Sequence, residues 1–114
     1  LIRELLHSPT QVTLAEEKLK NLLEKFPNSI SIYIQLGEFY NRCGNYAKAI
    51  EIFKKGIEID PNNALLYWGI AIAYENQKKI KEAINALKKA LEIGLERSLE
   101  RYAKILLKKL QNNL

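Results

Sequence analysis

Methionine is absent from this chain, cysteine and tryptophan occur once each, histidine once, and proline and glycine number only three and five. With Cys43 alone there is no internal disulfide, and Cys43 and His7 together are too few for a zinc-type ligand set. No glycine-rich phosphate loop, paired-carboxylate motif or metal-ligand spacing occurs, so no enzyme chemistry, cofactor or metal is expected. The longest apolar run, Ala64 to Tyr74, is far shorter than the ~20 residues of a membrane span, and no signal-peptide pattern opens the chain. A cytoplasmic location is the expectation. Period-2 alternation is confined to Ile30-Ser31-Ile32-Tyr33-Ile34, which the register of the following residues resolves as helix. The lack of methionine and the start at Leu1 point to a fragment or a processed form with further sequence beside it.

What is present suits a single folded unit. The 114 residues are 47% apolar and 27% charged, outside the composition of disordered chains. The net charge of +5 comes from 18 basic and 13 acidic side chains interspersed along the chain. That mild excess favours acidic partners slightly, and neither nucleic acid nor a membrane surface is expected as a partner. His7 has no nucleophile or ligand companion and reads as a surface residue. Cys43, at a helix end before Gly44, reads as a packing residue.

Apolar periodicity divides the chain into helices. Leu1 to His7 reads as the tail of a helix, Ser8 as an N-cap and Pro9 as the first residue of the next helix, where its missing N–H costs nothing. That helix runs to about Lys25, with Leu14, Ala15, Leu19, Leu22, Leu23 and Phe26 as its apolar stripe and Glu16 and Lys20 on its wet side. Pro27 stops it. Further helices follow over Ile30 to about Cys43, Tyr46 to Ile59, Ala64 to about Gln77, Ile80 to Ile93 and about Glu96 to Gln111. Gly44, Pro61 and Gly94 mark breaks between them.

The breaks and the helices repeat with a period of 34 residues. Tyr33 aligns with Tyr67, Leu36 with Ile70, Gly37 with Ala71 and Tyr40 with Tyr74. In the second helix of each unit Ala15, Ala49 and Ala83 coincide, as do Leu19, Phe53 and Leu87, and then Leu22, Gly56 and Ala90. Small residues at 37 and 71, 49 and 83, and 56 and 90 let helix backbones approach closely, and the larger columns fill the space beside them.

This pattern resembles the tetratricopeptide repeat: Tyr33, Leu36, Gly37, Tyr40, Ala49, Phe53, Gly56 and Pro61 match its signature in register, with Gly56 standing for alanine. The resemblance implies an all-α fold, a right-handed α–α superhelix of antiparallel helix pairs with a C-terminal capping helix. Its divisions are a partial first repeat over 1–29, full repeats over 30–63 and 64–97, and a cap over 98–114. Leu95 departs from the pattern by replacing a proline, and the first repeat lacks most of its first helix, which leaves an N-terminal face uncovered.

The resemblance further implies a non-catalytic scaffold whose concave groove takes up a peptide or helix of a partner protein. Helical geometry turns Leu65, Trp68, Ile72 and Glu75 or Asn76 away from the packing face of their helix, and Ser31, Ile34, Glu38, Asn41 and Arg42 are their counterparts one repeat earlier. The candidate partner-binding residues are therefore Ile34, Glu38, Asn41, Arg42, Leu65, Trp68, Ile72, Asn76 and Tyr102. Trp68 stands out because Tyr67 already fills the packing column. Either it marks an interaction patch with Leu65 and Ile72, or the last helix covers it with Tyr102 and Leu106. Chaperone-binding members of the family clamp a C-terminal carboxylate with Lys and Asn; here those positions carry Ile34, Glu38, Gly69 and Leu65, which implies an apolar or mixed segment. The alternative is self-association through the N-terminal face or the same patch.

Overall fold

The computed structural model describes residues 9–114, and within them six helices: α1 (Pro9–Lys25), α2 (Ile30–Arg42), α3 (Tyr46–Ile59), α4 (Ala64–Asn76), α5 (Ile80–Ile93) and α6 (Arg97–Asn112). The helix tail expected over Leu1–His7 and the cap expected at Ser8 lie outside the described residues. No strand occurs among the described residues, and no helix there is long and apolar enough to cross a membrane. Sequence-adjacent helices pack as neighbours, and α2 also touches α4, so the first helices of the two full pairs stand side by side.

The turns explain the helix ends. Between α2 and α3 the chain reverses through Gly44 at φ 79°, a conformation that glycine adopts without steric cost. The same turn between α4 and α5 is made by Lys78 at φ 65°, 34 residues after Gly44, and a side chain there carries a steric penalty. The Asn45 side chain accepts from the Lys48 N–H at the start of α3, and that of Asn63 accepts from the Leu65 N–H at 3.1 Å at the start of α4. Each supplies an acceptor that the first turn of a helix lacks internally.

Phe53 anchors the core. Its fully buried ring lies flat between the backbones of α2 and α4, against Gly37 and Gly69. A Cβ on Gly37 would stand 2.5 Å from the ring, far inside van der Waals contact, so small size is required at that position. The other small columns, Ala49, Ala71, Ala83 and Ala90, are likewise fully buried. Gly56 belongs with them, because a Cβ there would meet the side chain of buried Leu66 at 2.9 Å.

The first helix differs from expectation. Its inward stripe is Val12, Ala15, Leu19 and Leu23, and Leu14 and Phe26 point outward, 59% and 55% exposed. A spacing of 3.6 residues per turn puts Leu14 on the face opposite Val12 and Leu19, and Phe26 falls beyond the last helical residue. Glu16 is not on the wet side. It faces α2, where the Tyr40 hydroxyl donates to it at 2.5 Å, and Lys20 pairs with it at 3.4 Å. The Tyr40 hydrogen bond holds the Glu16 carboxyl below its ordinary range against the opposing effect of burial. Burial first, then that carboxylate, raise the Tyr40 phenol well above its own range. A second tyrosine, Tyr33, donates to the Pro27 carbonyl at 3.0 Å and ties the α1–α2 break to α2.

Candidate functional site

The period of 34 carries one column onto the face shared by α2, α4 and α6: Ile34, Trp68 and Tyr102 occupy equivalent positions. Trp68 and Tyr102 meet edge to face, with ring centroids 5.6 Å apart at 78°. That arrangement directs the positive edge of one ring at the negative face of the other. The last helix thus covers one side of the indole, and the rest of Trp68 lines a crevice between α2 and α4.

Glu38, Asn41, Arg42, Leu65, Trp68, Gly69 and Ile72 bound this crevice, whose volume is about 180 Å³. The missing side chain of Gly69 serves two neighbours at once. Phe53 packs against its backbone from the core, and its carbonyl, on the crevice side, accepts from Asn41 Nδ2 at 3.1 Å. That bond turns the Asn41 Oδ1 to a buried position where no donor reaches it. An unmatched buried acceptor costs on the order of 1–3 kcal/mol, and closed off from solvent it is not itself a contact for a ligand. Glu38 and Arg42 stand at the rim, 4.0 Å apart and both exposed, a pairing too weak to hold either in place. Leu65 is 42% exposed beside the indole.

Six of the nine residues expected from the sequence therefore converge on one crevice: Glu38, Asn41, Arg42, Leu65, Trp68 and Ile72. The other three lie outside its lining. Ile34 packs half-buried on the core, Asn76 donates to the Ile72 carbonyl of its own helix at 2.8 Å, and Tyr102 joins only through Trp68. Two further residues stand at the site that were not among the nine. Gly69 builds the crevice floor, and its sequence signature is a glycine mid-helix where alanine would be favoured by about 1 kcal/mol. Ile105 is 64% exposed on α6, beside Tyr102, in a helix whose apolar residues are otherwise inward or at its edge.

Larger hollows, about 380 and 410 Å³, lie along the outer face of α1 and at the joints before α4 and α6, and neither contains an aromatic side chain. Burial pushes the Cys43 thiol up from its ordinary range, as does the Glu16 carboxylate, so it is a poor nucleophile at neutral pH. Among the described residues no group of His, Cys, Asp and Glu is placed to hold a metal ion.

Residues 28–104 match the family model of the tetratricopeptide repeat. The chain is 33% identical over 86 residues to a TPR repeat-containing protein, MJ1428, of Methanocaldococcus jannaschii, a match covering 70% of this chain and 15% of that protein. It is 29% identical over 80 residues to the Saccharomyces cerevisiae protein called essential for maintenance of the cell wall protein 1, covering 70% of this chain and 9% of that one. The chain thus spans less than a sixth of either relative. Among solved structures, PcrH in complex with the chaperone binding region of PopD superposes with a TM-score of 0.82 at 14% identity, over 98% of this chain and 87% of that one. MamA superposes with a TM-score of 0.78 at 23% identity, over 99% and 64%. At these identities the likeness establishes the all-α solenoid fold.

Proposed function

Because the chain belongs to the tetratricopeptide repeat family, we propose that it is a non-catalytic scaffold that binds a peptide or helix of a partner protein along the shared face of α2, α4 and α6. The observation that carries this reading is the partly buried Trp68, whose remaining surface lies with Leu65 and Ile72 along a glycine-floored crevice. Leu66, Ile70, Ala71 and Ala73 fill the buried face of α4, and the indole rests on the core and Tyr102 with part of its ring left open. An aromatic left at such a site offers a large apolar area at little entropic cost on binding.

The bound segment places an apolar side chain against Trp68, Leu65 and Ile72. Asn41 lines the wall beside it, Glu38 and Arg42 contact it at the rim, and Ile34, Asn76 and Tyr102 extend the surface beyond the crevice. The crevice offers no lysine, and its one cation, Arg42, stands at the exposed rim beside Glu38, so an internal apolar or mixed segment fits it better than a C-terminal carboxylate. That PcrH, a protein of the same fold, holds a region of PopD supports the reading. Within it, residues 1–29 act as a partial repeat, 30–63 and 64–97 as full repeats and 98–114 as a cap. Trp68→Ala is expected to weaken the partner complex by about 2 kcal/mol, roughly 30-fold, in a fluorescence or calorimetric titration; an unchanged affinity refutes the assignment.

The outward Leu14 and Phe26 favour a second reading, self-association through the α1 end. It predicts a dimer in sedimentation at high micromolar concentration, and a monomer there refutes it.

A further inference from the structure

The net charge is unevenly placed. Basic and acidic side chains balance over residues 1–63, and the whole excess of +5 falls within residues 64–114. Much of it is gathered on α6. Advancing about 100° per residue from Tyr102, the residues Lys109, Ile105, Arg101 and Lys108 follow within roughly 120°, on the side away from buried Ala103, Leu106 and Leu110. No carboxylate falls in this arc. Glu100 lies on the opposite flank, where Lys104 engages it at 3.1 Å. Among the described residues Arg101, Lys108 and Lys109 have no ion-pair partner, and Glu75, one period before Lys109 on α4, does not reach it.

Cations alone would make this an ordinary solvated surface. Two large apolar side chains lie among them, Tyr102 at 57% and Ile105 at 64% exposure. Arg101, Ile105 and Lys108 are in register with Tyr67, Ala71 and Tyr74, the positions against which the second helix of a pair packs, so they adjoin the groove column of Trp68, Tyr102 and Lys109 rather than lie in it, and no helix among the described residues packs there on α6. This surface continues from the crevice through the Trp68–Tyr102 contact. The exposed α1 face of a second copy is a poor occupant, because it sets Glu17 and Glu24 against Lys18 and Lys25 and offers no net opposite charge. The complement of unpaired cations beside exposed apolar groups is a segment that alternates carboxylates with apolar residues.

We propose that the segment bound along the groove is acidic as well as apolar, and that it runs past Trp68 and turns over the groove's edge onto the uncovered face of α6, where Tyr102 and Ile105 receive its apolar side chains and Arg101, Lys108 and Lys109 its carboxylates. The proposal rests on the groove reading above and adds the chemistry of the partner.

The test is a display library of random peptides, long enough to cross α4 and α6, selected against the whole chain at low ionic strength. Enrichment of Asp and Glu together with Leu, Ile or aromatics is expected. Replacing the acidic residues of a selected peptide by their amides should weaken binding roughly tenfold, three exposed charge pairs each contributing a fraction of that. The variant carrying Arg101→Gln, Lys108→Gln and Lys109→Gln should bind acid and amide forms equally while melting at the unchanged temperature. Peptides that need Trp68 but show no acidic excess overturn this inference and leave the groove reading standing, as does an acidic preference that survives in the triple variant. Peptides indifferent to Trp68→Ala, or no selected peptide at all, overturn both. Binding to phosphatidylserine vesicles or to single-stranded RNA through the same three cations, with no acidic peptide bound, overturns the protein partner in favour of that class.

Discussion

Replacing Gly69 by alanine tests the packing that underlies the site. In a helix interior this substitution normally stabilises by about 1 kcal/mol, since glycine loses more backbone entropy on folding. Here the added Cβ would press into the Phe53 ring, deep inside the 3.4–4 Å of ordinary contact. The ring cannot withdraw, because Gly37 holds its other side and Phe53 is completely buried. Relief demands that α2 and α4 separate by about an ångström, an overpacking cost of roughly 1–3 kcal/mol. Set against the propensity gain, the expected net loss is about 0–2 kcal/mol, or a fall of up to roughly 1 M in the urea midpoint followed by far-ultraviolet circular dichroism. In a Phe53→Leu background the space reopens, and Gly69→Ala should become neutral or stabilising. A Gly69→Ala protein as stable as the parent, with no dependence on residue 53, would refute the ring-between-glycines account.

Two other perturbations follow from the geometry. Lys78→Gly relieves a left-handed lysine, and after the entropy cost of glycine it should stabilise by about 0.5 kcal/mol, read as a higher melting temperature; a lower one would contradict the strain. Tyr40→Phe removes the hydrogen bond to Glu16 and should cost about 1–2 kcal/mol at neutral pH. Since the Glu16 pKa is lowered on folding, its contribution is complete above its ordinary value of 4.5 and is lost as the pH falls through the lower folded value. The parent should therefore lose more stability than Tyr40→Phe as the pH falls below 4.5, and parallel acid profiles would count against the pairing.

The helices and their order were legible in the residues because a spacing of 34 places the same side-chain sizes at the same heights on successive pairs. Tyr46–Ile59 and Ile80–Ile93 lie between the bounds that Gly44, Pro61 and Gly94 imply. The small columns were legible for the same reason, since each is required by a backbone approach that recurs once per repeat. α1 was harder to read because its apolar residues cover more of its circumference than one neighbour can bury. Periodicity does not say which of Leu14 and Val12 meets α2.

At the candidate site the division is sharper. Helical geometry alone separates Leu65, Trp68 and Ile72 from the packing face, so their shared stripe follows from sequence. That Asn41 bonds across to Gly69, that Asn76 turns back on its own helix, and that Tyr102 covers one side of Trp68 depend on how far apart α2, α4 and α6 stand. Sequence by itself determined the repeat, the helix ends and the faces, because these follow from local periodicity and backbone preference. Only the tertiary structure decided which faces meet and which stay open, because the spacing of the helices is set by the Phe53 ring wedged between two glycines. A gap of that width is a property of three helices at once.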